Sequence, residues 1–190
     1  MLNRVYSYKI VKRTADIICA ALMLLLFFWV ILSLIFISSF DTKSFGLFKQ
    51  IRIGRHLKPF TIYKIKTIKK DGEISKIGAF LRRSKLDELP QVFNVLIGNM
   101  SFVGPRPDVP GFADNLKVEH QSILSVRPGI TGPASLYFRN EEAILAKVEN
   151  PKQYNADVIW PKKVALNMKY VQELSFKKDI YYLVNTIVKL

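Results

Sequence analysis

The feature that most constrains this chain is an uncharged apolar segment near its N-terminus. From Ile17 to Phe40 the sequence reads IICAALMLLLFFWVILSLIFISSF, which is 24 residues without a charged side chain. As a continuous helix that rises about 1.5 Å per residue, such a segment can cross a bilayer core of about 30 Å. The run is too long for the apolar part of a signal peptide, and no cleavage site of A-x-A type follows it. The pattern therefore predicts a membrane-embedded helix, with a buried core helix as the alternative.

Both flanks of this segment are basic. Positive charge near a membrane segment favours the cytoplasmic side, so two basic flanks favour a re-entrant helix that returns to the side it came from. A hairpin needs a break in the helix, yet there is no Pro or Gly between Thr14 and Ser44, and Ser33 is the best-placed polar residue to bond a freed backbone group. We expect both ends to be cytoplasmic, while a full crossing stays open. The flanking cations are Arg4, Lys9, Lys12 and Arg13 before the segment, and Lys43, Lys49, Arg52, Arg55 and Lys58 after it.

Charge and composition limit the function classes. The chain has 190 residues, and 29 Lys and Arg against 15 Asp and Glu give a net charge of +14. This excess indicates an anionic partner, namely nucleic acid, phospholipid or a phosphorylated substrate. A hydrophobic content of 49% excludes a disordered polycation. A single cysteine and two distant histidines exclude a disulfide framework and a cysteine-based zinc site.

The rest of the chain predicts a mixed α/β fold that is mostly helical. We expect an N-terminal helix with its flanks over residues 1–44, followed by a small cytoplasmic domain over residues 45–190 with amphipathic interfacial helices. The last helix is basic and amphipathic, so it either packs on the core or lies on a membrane surface. The predicted segments are short extended stretches and loops in 45–70, helices at 74–83 and 89–96, Gly/Pro-rich loops at 98–111 and 127–133, and helices at 139–150 and 161–190.

Two adjacent acids stand out in a basic region. Asp87 and Glu88 follow three basic residues and precede Pro90, which is tolerated in the first turn of a helix. At a helix start the dipole and nearby arginines favour an ionised carboxylate, and a positioned aspartate can be a nucleophile toward phosphorus. Plain helix capping is the alternative.

The arginines favour a phosphate site over a solvated basic face. Six of the nine lie between Arg52 and Arg127, beside the Gly/Pro loops or the acidic pair. Arg106 lies inside GPRP, where two prolines stiffen the backbone, and Arg127 begins RPGITG. Arginine grips phosphate through two parallel hydrogen bonds, whereas lysine is a point charge.

Residues 81–112, LRRSKLDELPQVFNVLIGNMSFVGPRPDVPGF, closely resemble the bacterial sugar transferase family, the monotopic phosphoglycosyl transferases that use polyprenyl phosphate. The resemblance extends to KRTADI, QIRIGRHLKPFTIYKIKT, RPGITGPA and YFRNEEAILAKVENPKQYNADVIWPKK, and so covers nearly the whole chain. It implies transfer of a sugar phosphate from a UDP-sugar to undecaprenyl (polyprenyl) phosphate, with release of UMP, at the start of glycoconjugate assembly. It also implies that the catalytic domain lies on the cytoplasmic face of the bacterial inner membrane.

The resemblance also implies roles for particular residues. Asp87 matches the nucleophile that forms a phosphosugar-aspartyl intermediate, and Glu88 matches the second residue of the dyad. Mg²⁺ is the expected cofactor, with Asp87 as its protein ligand. The remaining implied residues are Arg106, Arg127, Arg82, Arg83 and Lys64 for substrate phosphate, and Gly104, Pro105 and Pro107 for the loop that shapes the site.

The expected partners are a UDP-sugar, polyprenyl phosphate and membrane phospholipid, and no nucleic acid. A membrane-anchored basic module that binds anionic lipid or nucleic acid without catalysis is the alternative function. It explains the net charge and the apolar run, but not the DELPQ and GPRP elements. The sequence leaves the donor sugar, the glycan pathway and the oligomeric state open, a homodimer being one option.

Overall fold

The computed structural model describes the backbone of residues 2–188 and the side chains of residues 8–188. Arg4, one of the flanking cations, has its side chain outside the described residues. The helices are α1 (Leu2–Asp41), α2 (Lys76–Arg83), α3 (Gln91–Leu96), α4 (Pro133–Tyr137), α5 (Glu141–Leu145), α6 (Pro151–Tyr154), α7 (Trp160–Gln172) and α8 (Phe176–Val188). The strands are β1 (Leu47–Ile53), β2 (Pro59–Ile65), β3 (Ser101–Val103) and β4 (Gly129–Thr131). This confirms the predicted mixed, mostly helical fold with a long apolar N-terminal helix.

The strands form two small sheets. β1 and β2 pair as an antiparallel hairpin from Leu47 opposite Ile65 to Ile53 opposite Pro59. β3 and β4 pair in parallel, and they begin in the two segments that the glycines and prolines predicted to be loops. The predicted loops therefore each contain a strand, because three residues of backbone pairing are too short to leave a hydrophobic period in the sequence.

α1 is one continuous helix of 40 residues. The break that a hairpin requires is not present in it, and the Ser33 hydroxyl bonds the Trp29 carbonyl of its own helix at 2.8 Å. Among the described residues it is the one helix long and apolar enough to cross a membrane. Most of its apolar side chains are exposed, so it is not the buried core helix that the sequence left as an alternative.

Both ends of α1 contact the rest of the chain. Near the start, the Arg13 guanidinium donates to the carbonyls of Val95 and Leu96 at 2.7 and 3.0 Å. Near the end, the Ser38 hydroxyl donates to the Lys66 carbonyl at 2.5 Å. The helix therefore packs along the domain instead of projecting away from it.

Two apolar clusters hold the domain together. The first brings α1, β2 and α3 together, and the second lies under β1 and α7. Each removes apolar side chains from water, which is the main favourable term in folding. The first cluster comprises Ala20, Ile62, Val92, Val95 and Met100. The second comprises Ile53, Ala113, Leu116, Ile123, Leu124 and Val164.

The C-terminal region differs from its prediction. The single helix predicted over 161–190 is wrong, because α7 ends at Gln172 and α8 begins at Phe176; residues 189 and 190 lie outside the described residues. The break lets α8 turn back, so that buried Asp179 accepts hydrogen bonds from Tyr8 at 2.5 Å and Tyr170 at 2.6 Å. The helix predicted over 139–150 is shorter than expected and spans only Glu141–Leu145.

Candidate active site

The acidic pair lies in a tight turn between two helices. α2 ends at Arg83, Lys85 then adopts the left-handed conformation with φ 57°, and a 3₁₀ turn that follows carries Asp87 and Glu88. Pro90 precedes the first residue of α3, as its restricted φ allows. Both acidic residues are 8% exposed. The acidic pair thus lies a few residues before the first residue of α3, close to the predicted position at a helix start.

A buried amide aligns the strand that faces this turn. Asn94 of α3 accepts a hydrogen bond from the Tyr63 amide at 3.2 Å and donates to the Thr61 carbonyl at 2.7 Å. These bonds fix α3 against β2. Lys64 follows directly in β2 and places its ammonium 2.9 Å from Glu88.

Glu88 is the centre of an ion-pair cluster. Its Oε1 accepts from Lys64 and from the Arg106 guanidinium, and its Oε2 accepts from the other Arg106 terminal nitrogen at 3.3 Å. Burial alone would raise the pKa of Glu88, but the positive charges of Arg106 and Lys64 hold it well below its usual range. Glu88 is therefore an anion at neutral pH.

Asp87 has a different environment from its neighbour. Its Oδ1 is buried and has no hydrogen-bond partner among the described residues. Burial raises the pKa of Asp87, and the negative charge of Glu88 raises it further, against the lowering by Lys64 and Lys85. A desolvated carboxylate without partners retains its lone pairs for a substrate, which is what a nucleophile requires.

The GPRP loop follows β3 and positions Arg106. Gly104 donates to the Thr131 carbonyl at 2.9 Å, and the Pro105 carbonyl accepts from the Gly129 amide at 2.8 Å. Gly104 and both prolines are buried. Arg106 reaches Glu88 from this loop and also donates to the Ile130 carbonyl at 3.3 Å. The loop thus brings Arg106 to the acidic pair, while the backbone of Gly104 and Pro105 bonds β4.

Two further residues lie beside this loop: Asp108, to which sequence reasoning gave no role, and Arg52, which it named only as a flanking cation and among the six clustered arginines. Arg52 of β1 donates to the Pro107 carbonyl at 3.2 Å, and its charge acts on Arg106. Burial raises the pKa of Asp108 to about 6, against the lowering by Lys163, Arg52 and Arg106. For Asp108 there was a usable signal in the sequence, since it directly follows GPRP. Arg52 shares its strand with Lys49 and Gln50, so its position alone does not single it out.

The other predicted phosphate ligands lie apart from the acidic pair. Arg82 forms an ion pair with Glu142 of α5, and Arg83 is exposed at the end of α2. Arg127 donates to the Gly98 carbonyl at 2.8 Å. The structure therefore brings Lys64 and Arg106, but not these three arginines, into contact with the pair.

Within residues 8–188 there is no cluster of three or more His, Cys, Asp or Glu side chains that could hold a metal ion. The unpartnered Oδ1 of Asp87 is one oxygen suited to a hard cation. Such a site fits Mg²⁺, which keeps several waters and often binds through one or two carboxylates and substrate phosphates.

Comparison with known proteins gives related sequences over the whole site. The family described as bacterial sugar transferase matches residues 7–190. The UDP-glucose:undecaprenyl-phosphate glucose-1-phosphate transferase of Escherichia coli (strain K12) is 32% identical over 95% of this chain and 40% of its own length. The uncharacterized sugar transferase EpsL of Bacillus subtilis (strain 168) is 32% identical over 95% of this chain and 87% of its own length. The exopolysaccharide production protein PSS of Rhizobium leguminosarum bv. phaseoli is 30% identical over 94% of each.

The chain spans about 40% of the length of the Escherichia coli relative and 39% of a Klebsiella pneumoniae transferase with the same description. The family match nevertheless includes the turn with the acidic pair, the GPRP loop and the strands that hold them. On this match the chain belongs to the bacterial sugar transferase family.

Proposed function

We propose that this protein transfers a sugar phosphate from a UDP-sugar to polyprenyl phosphate through a covalent intermediate on Asp87. The observation that carries the proposal is the contrast within the acidic pair. Glu88 is held by two cations, whereas the buried Oδ1 of Asp87 lacks a partner in the described part of the chain. A module that only binds anionic lipid has no need for such a carboxylate, since burying one without a partner is costly.

In the first half-reaction an ionised Asp87 oxygen attacks the phosphorus that bears the sugar. An oxygen–phosphorus bond to Asp87 forms, and the bond between this phosphorus and the oxygen of the departing UMP breaks. Lys64 and Arg106 keep positive charge beside the reacting phosphate while remaining paired to Glu88. Preorganised charge of this kind stabilises a phosphoryl-transfer transition state without reorganisation at the moment of reaction.

Mg²⁺ would be held by Asp87 together with substrate phosphate oxygens, and it would supply charge neutralisation of the diphosphate. The contribution of the chain itself is to exclude water around Asp87 and to keep the two cations in place. Glu88 keeps the cations in place, because its buried carboxylate accepts from each of them.

In the second half-reaction a phosphate oxygen of the polyprenyl acceptor attacks the same phosphorus. The bond between phosphorus and Asp87 breaks, the carboxylate is regenerated, and a polyprenyl-diphospho-sugar leaves. The acceptor phosphate is ionised at neutral pH, so this step needs little proton transfer. Glu88 then acts mainly as a positioning residue that orients the cations.

We propose that both ends of α1 lie on the cytoplasmic face. Supporting this, Arg13 near its start and Ser38 near its end both bond the same domain. A helix that crossed the bilayer would place these ends on opposite sides, about 30 Å apart. Residues 25–30, between the two contacts, are all exposed apolar side chains suited to lipid.

α8 also supports association with the membrane surface. Its inner face carries Asp179, while its outer face leaves large apolar side chains exposed at helical spacing. An amphipathic helix with an uncovered apolar face can lie in the interface plane. The exposed apolar residues are Phe176, Ile180, Val184, Ile187 and Val188.

The donor class is proposed from the relatives. Their descriptions include a UDP-glucose transferase and a UDP-N-acetylgalactosamine transferase, both acting on undecaprenyl phosphate. These two sugars differ at one ring substituent and in one stereocentre. We therefore propose a UDP-hexose or UDP-N-acetylhexosamine donor without choosing between them.

The test uses full-length protein in detergent with a panel of UDP-sugars, polyprenyl phosphate and Mg²⁺. Wild type is expected to release UMP and to carry a mass increase equal to one phosphosugar when the acceptor is omitted. D87N should lose both signals, because an amide cannot attack phosphorus. The matched control is D157N, at an exposed position away from the site, which should retain both. UMP release by D87N at a rate near that of wild type would refute the nucleophile, and no release by wild type with any donor would refute the activity.

A further inference from the structure

A second group of arginines lies away from the acidic pair, around Gly98 at the end of α3. Arg13 of α1 donates to the carbonyls of Val95 and Leu96, and Arg127 donates through Nε to the Gly98 carbonyl at 2.8 Å. A β-carbon built on Gly98 would lie 3.2 Å from the Arg13 guanidinium. The two guanidinium groups therefore meet at one short segment of backbone, although 114 residues separate them in the sequence.

Positive charge is in excess at this position. Burial lowers the pKa of Arg127, and the charges of Arg13 and Arg55 lower it further, whereas Asp16 alone acts in the other direction. Asp16 is itself buried and accepts a hydrogen bond from the Phe102 amide. The two terminal nitrogens of Arg127 donate to no other group in the described part of the chain, so they remain available to an anion.

The surroundings of this group are apolar. Arg13 lies one helical turn before Ile17, where the uncharged segment begins. Ile97, adjacent to Gly98, is 50% exposed, and Ile10 and Ile17 are also exposed. Cations next to uncovered apolar side chains match the level of lipid headgroups, where phosphate meets the hydrocarbon region.

We infer that Arg13, Arg55 and Arg127 form a binding site for the headgroup phosphate of an anionic phospholipid. The two terminal Arg127 nitrogens can grip one phosphate in bidentate fashion, and Arg13 adds a second positive charge at Gly98. Arg55 adds a third, since its turn packs against the segment Val118–Ser125 that leads to Arg127. The Arg127 side chain contacts the Gly98 carbonyl, whereas Glu88 of the acidic pair contacts Lys64 and Arg106. The site is thus separate from the reacting phosphates, and it goes beyond the proposed transfer reaction.

The experiment measures lipid affinity without turnover. Full-length protein in a neutral detergent is titrated with dioctanoyl phosphatidylglycerol or dioctanoyl phosphatidylcholine, and thermal unfolding reports binding, since a ligand of the folded state raises the unfolding temperature. Wild type should bind the anionic lipid and respond little to the zwitterionic one. R127Q should weaken that binding about 10- to 100-fold, as expected for one charge-assisted contact of about 1.5–3 kcal/mol.

Two further variants make the result specific. Arg55 lies on an exposed turn, and its side chain bonds the neighbouring His56 and not a backbone carbonyl. R55Q should weaken binding about two- to fivefold. It tests the inference in case R127Q fails to fold. K152Q removes the same charge from an exposed position in α6 and should leave the affinity unchanged.

The inference is overturned if wild type does not distinguish the two lipids, or if K152Q loses as much affinity as R127Q, which indicates diffuse attraction only. It is also overturned if R127Q keeps its affinity for phosphatidylglycerol while its KM for polyprenyl phosphate rises, because the arginines then belong to the acceptor. Failure of the proposed transfer reaction would leave this binding result unaffected.

Discussion

Glu88→Gln isolates the charge that holds the cluster beside Asp87. The substitution keeps the size of the side chain and one acceptor oxygen, but it removes the negative charge. In the wild type that charge neutralises Lys64 at 2.9 Å and the guanidinium of Arg106. The variant therefore leaves two cations without their partner next to a buried carboxylate.

The cost in stability follows from the burial of the three groups. The Glu88 and Lys64 side chains are 9% and 18% exposed, and that of Arg106 is 38% exposed. A charge-assisted hydrogen bond contributes about 1.5–3 kcal/mol, and Arg106 can recover part of its share by turning to water. We expect a loss of about 2–4 kcal/mol in the free energy of unfolding. At about 2–4 °C per kcal/mol, this lowers the unfolding temperature by about 4–16 °C.

The assay is thermal unfolding in detergent at a series of pH values. The pKa of Glu88 is depressed in the folded state, so its contribution is complete above its ordinary value of 4.5 and declines as the pH falls below that value. The difference between wild type and variant should therefore be constant from pH 8 to pH 5 and shrink under more acidic conditions.

The same variant has a predicted effect on the pH dependence of activity. Burial and the charge of Glu88 both raise the pKa of Asp87, so the acid limb of wild-type UMP release should lie above the ordinary aspartate value of 3.8. Removing the charge of Glu88 and exposing Asp87 to two unneutralised cations should move that limb to lower pH.

Glu142→Gln is the matched control. Glu142 also pairs with an arginine, Arg82, but its side chain is 81% exposed, so its loss should cost about 0–1 kcal/mol. The reasoning is refuted if both variants lose equal stability, or if the acid limb of Glu88→Gln moves upward.

Three further substitutions test other contacts. R106K should lower kcat/KM about 10- to 100-fold, because lysine cannot make the two parallel bonds to Glu88, and a change within twofold in steady-state UMP release would contradict this. D179N should lower stability by about 2–4 kcal/mol in thermal unfolding, because the side chain is buried and accepts from Tyr8, Lys12 and Tyr170; an unchanged unfolding temperature would contradict it. G104A should abolish UMP release or folding, since its β-carbon would lie 2.5 Å from the Arg127 carbonyl oxygen, and an active, stable variant would show that the loop can shift.

Much of the site could be predicted from local sequence. The adjacency of Asp87 and Glu88 before Pro90, and the placement of Arg106 between two prolines, depend on neighbouring residues alone. Short-range rules for turns and helix starts therefore apply to them. The apolar run of α1 is likewise a local property, and the structure describes it as one helix.

Other features depend on residues that are distant in the chain. Arg127 resembles Arg106 in sequence, since both lie in rigid Gly/Pro loops, yet one contacts Gly98 and the other Glu88. The break between α7 and α8 allows Asp179 to reach Tyr8, a partner 171 residues away. Neither outcome has a local signal.

The sequence by itself determined the long apolar helix, the acidic turn and the stiff arginine loop, because each results from steric and hydrophobic preferences within a few residues. The tertiary structure alone decided which carboxylate is paired and which is free. That choice depends on β2 and the GPRP loop bringing Lys64 and Arg106 to Glu88 but not to Asp87. Because charge pairing falls off over a few ångströms, it follows the packing of distant segments and not their order in the chain.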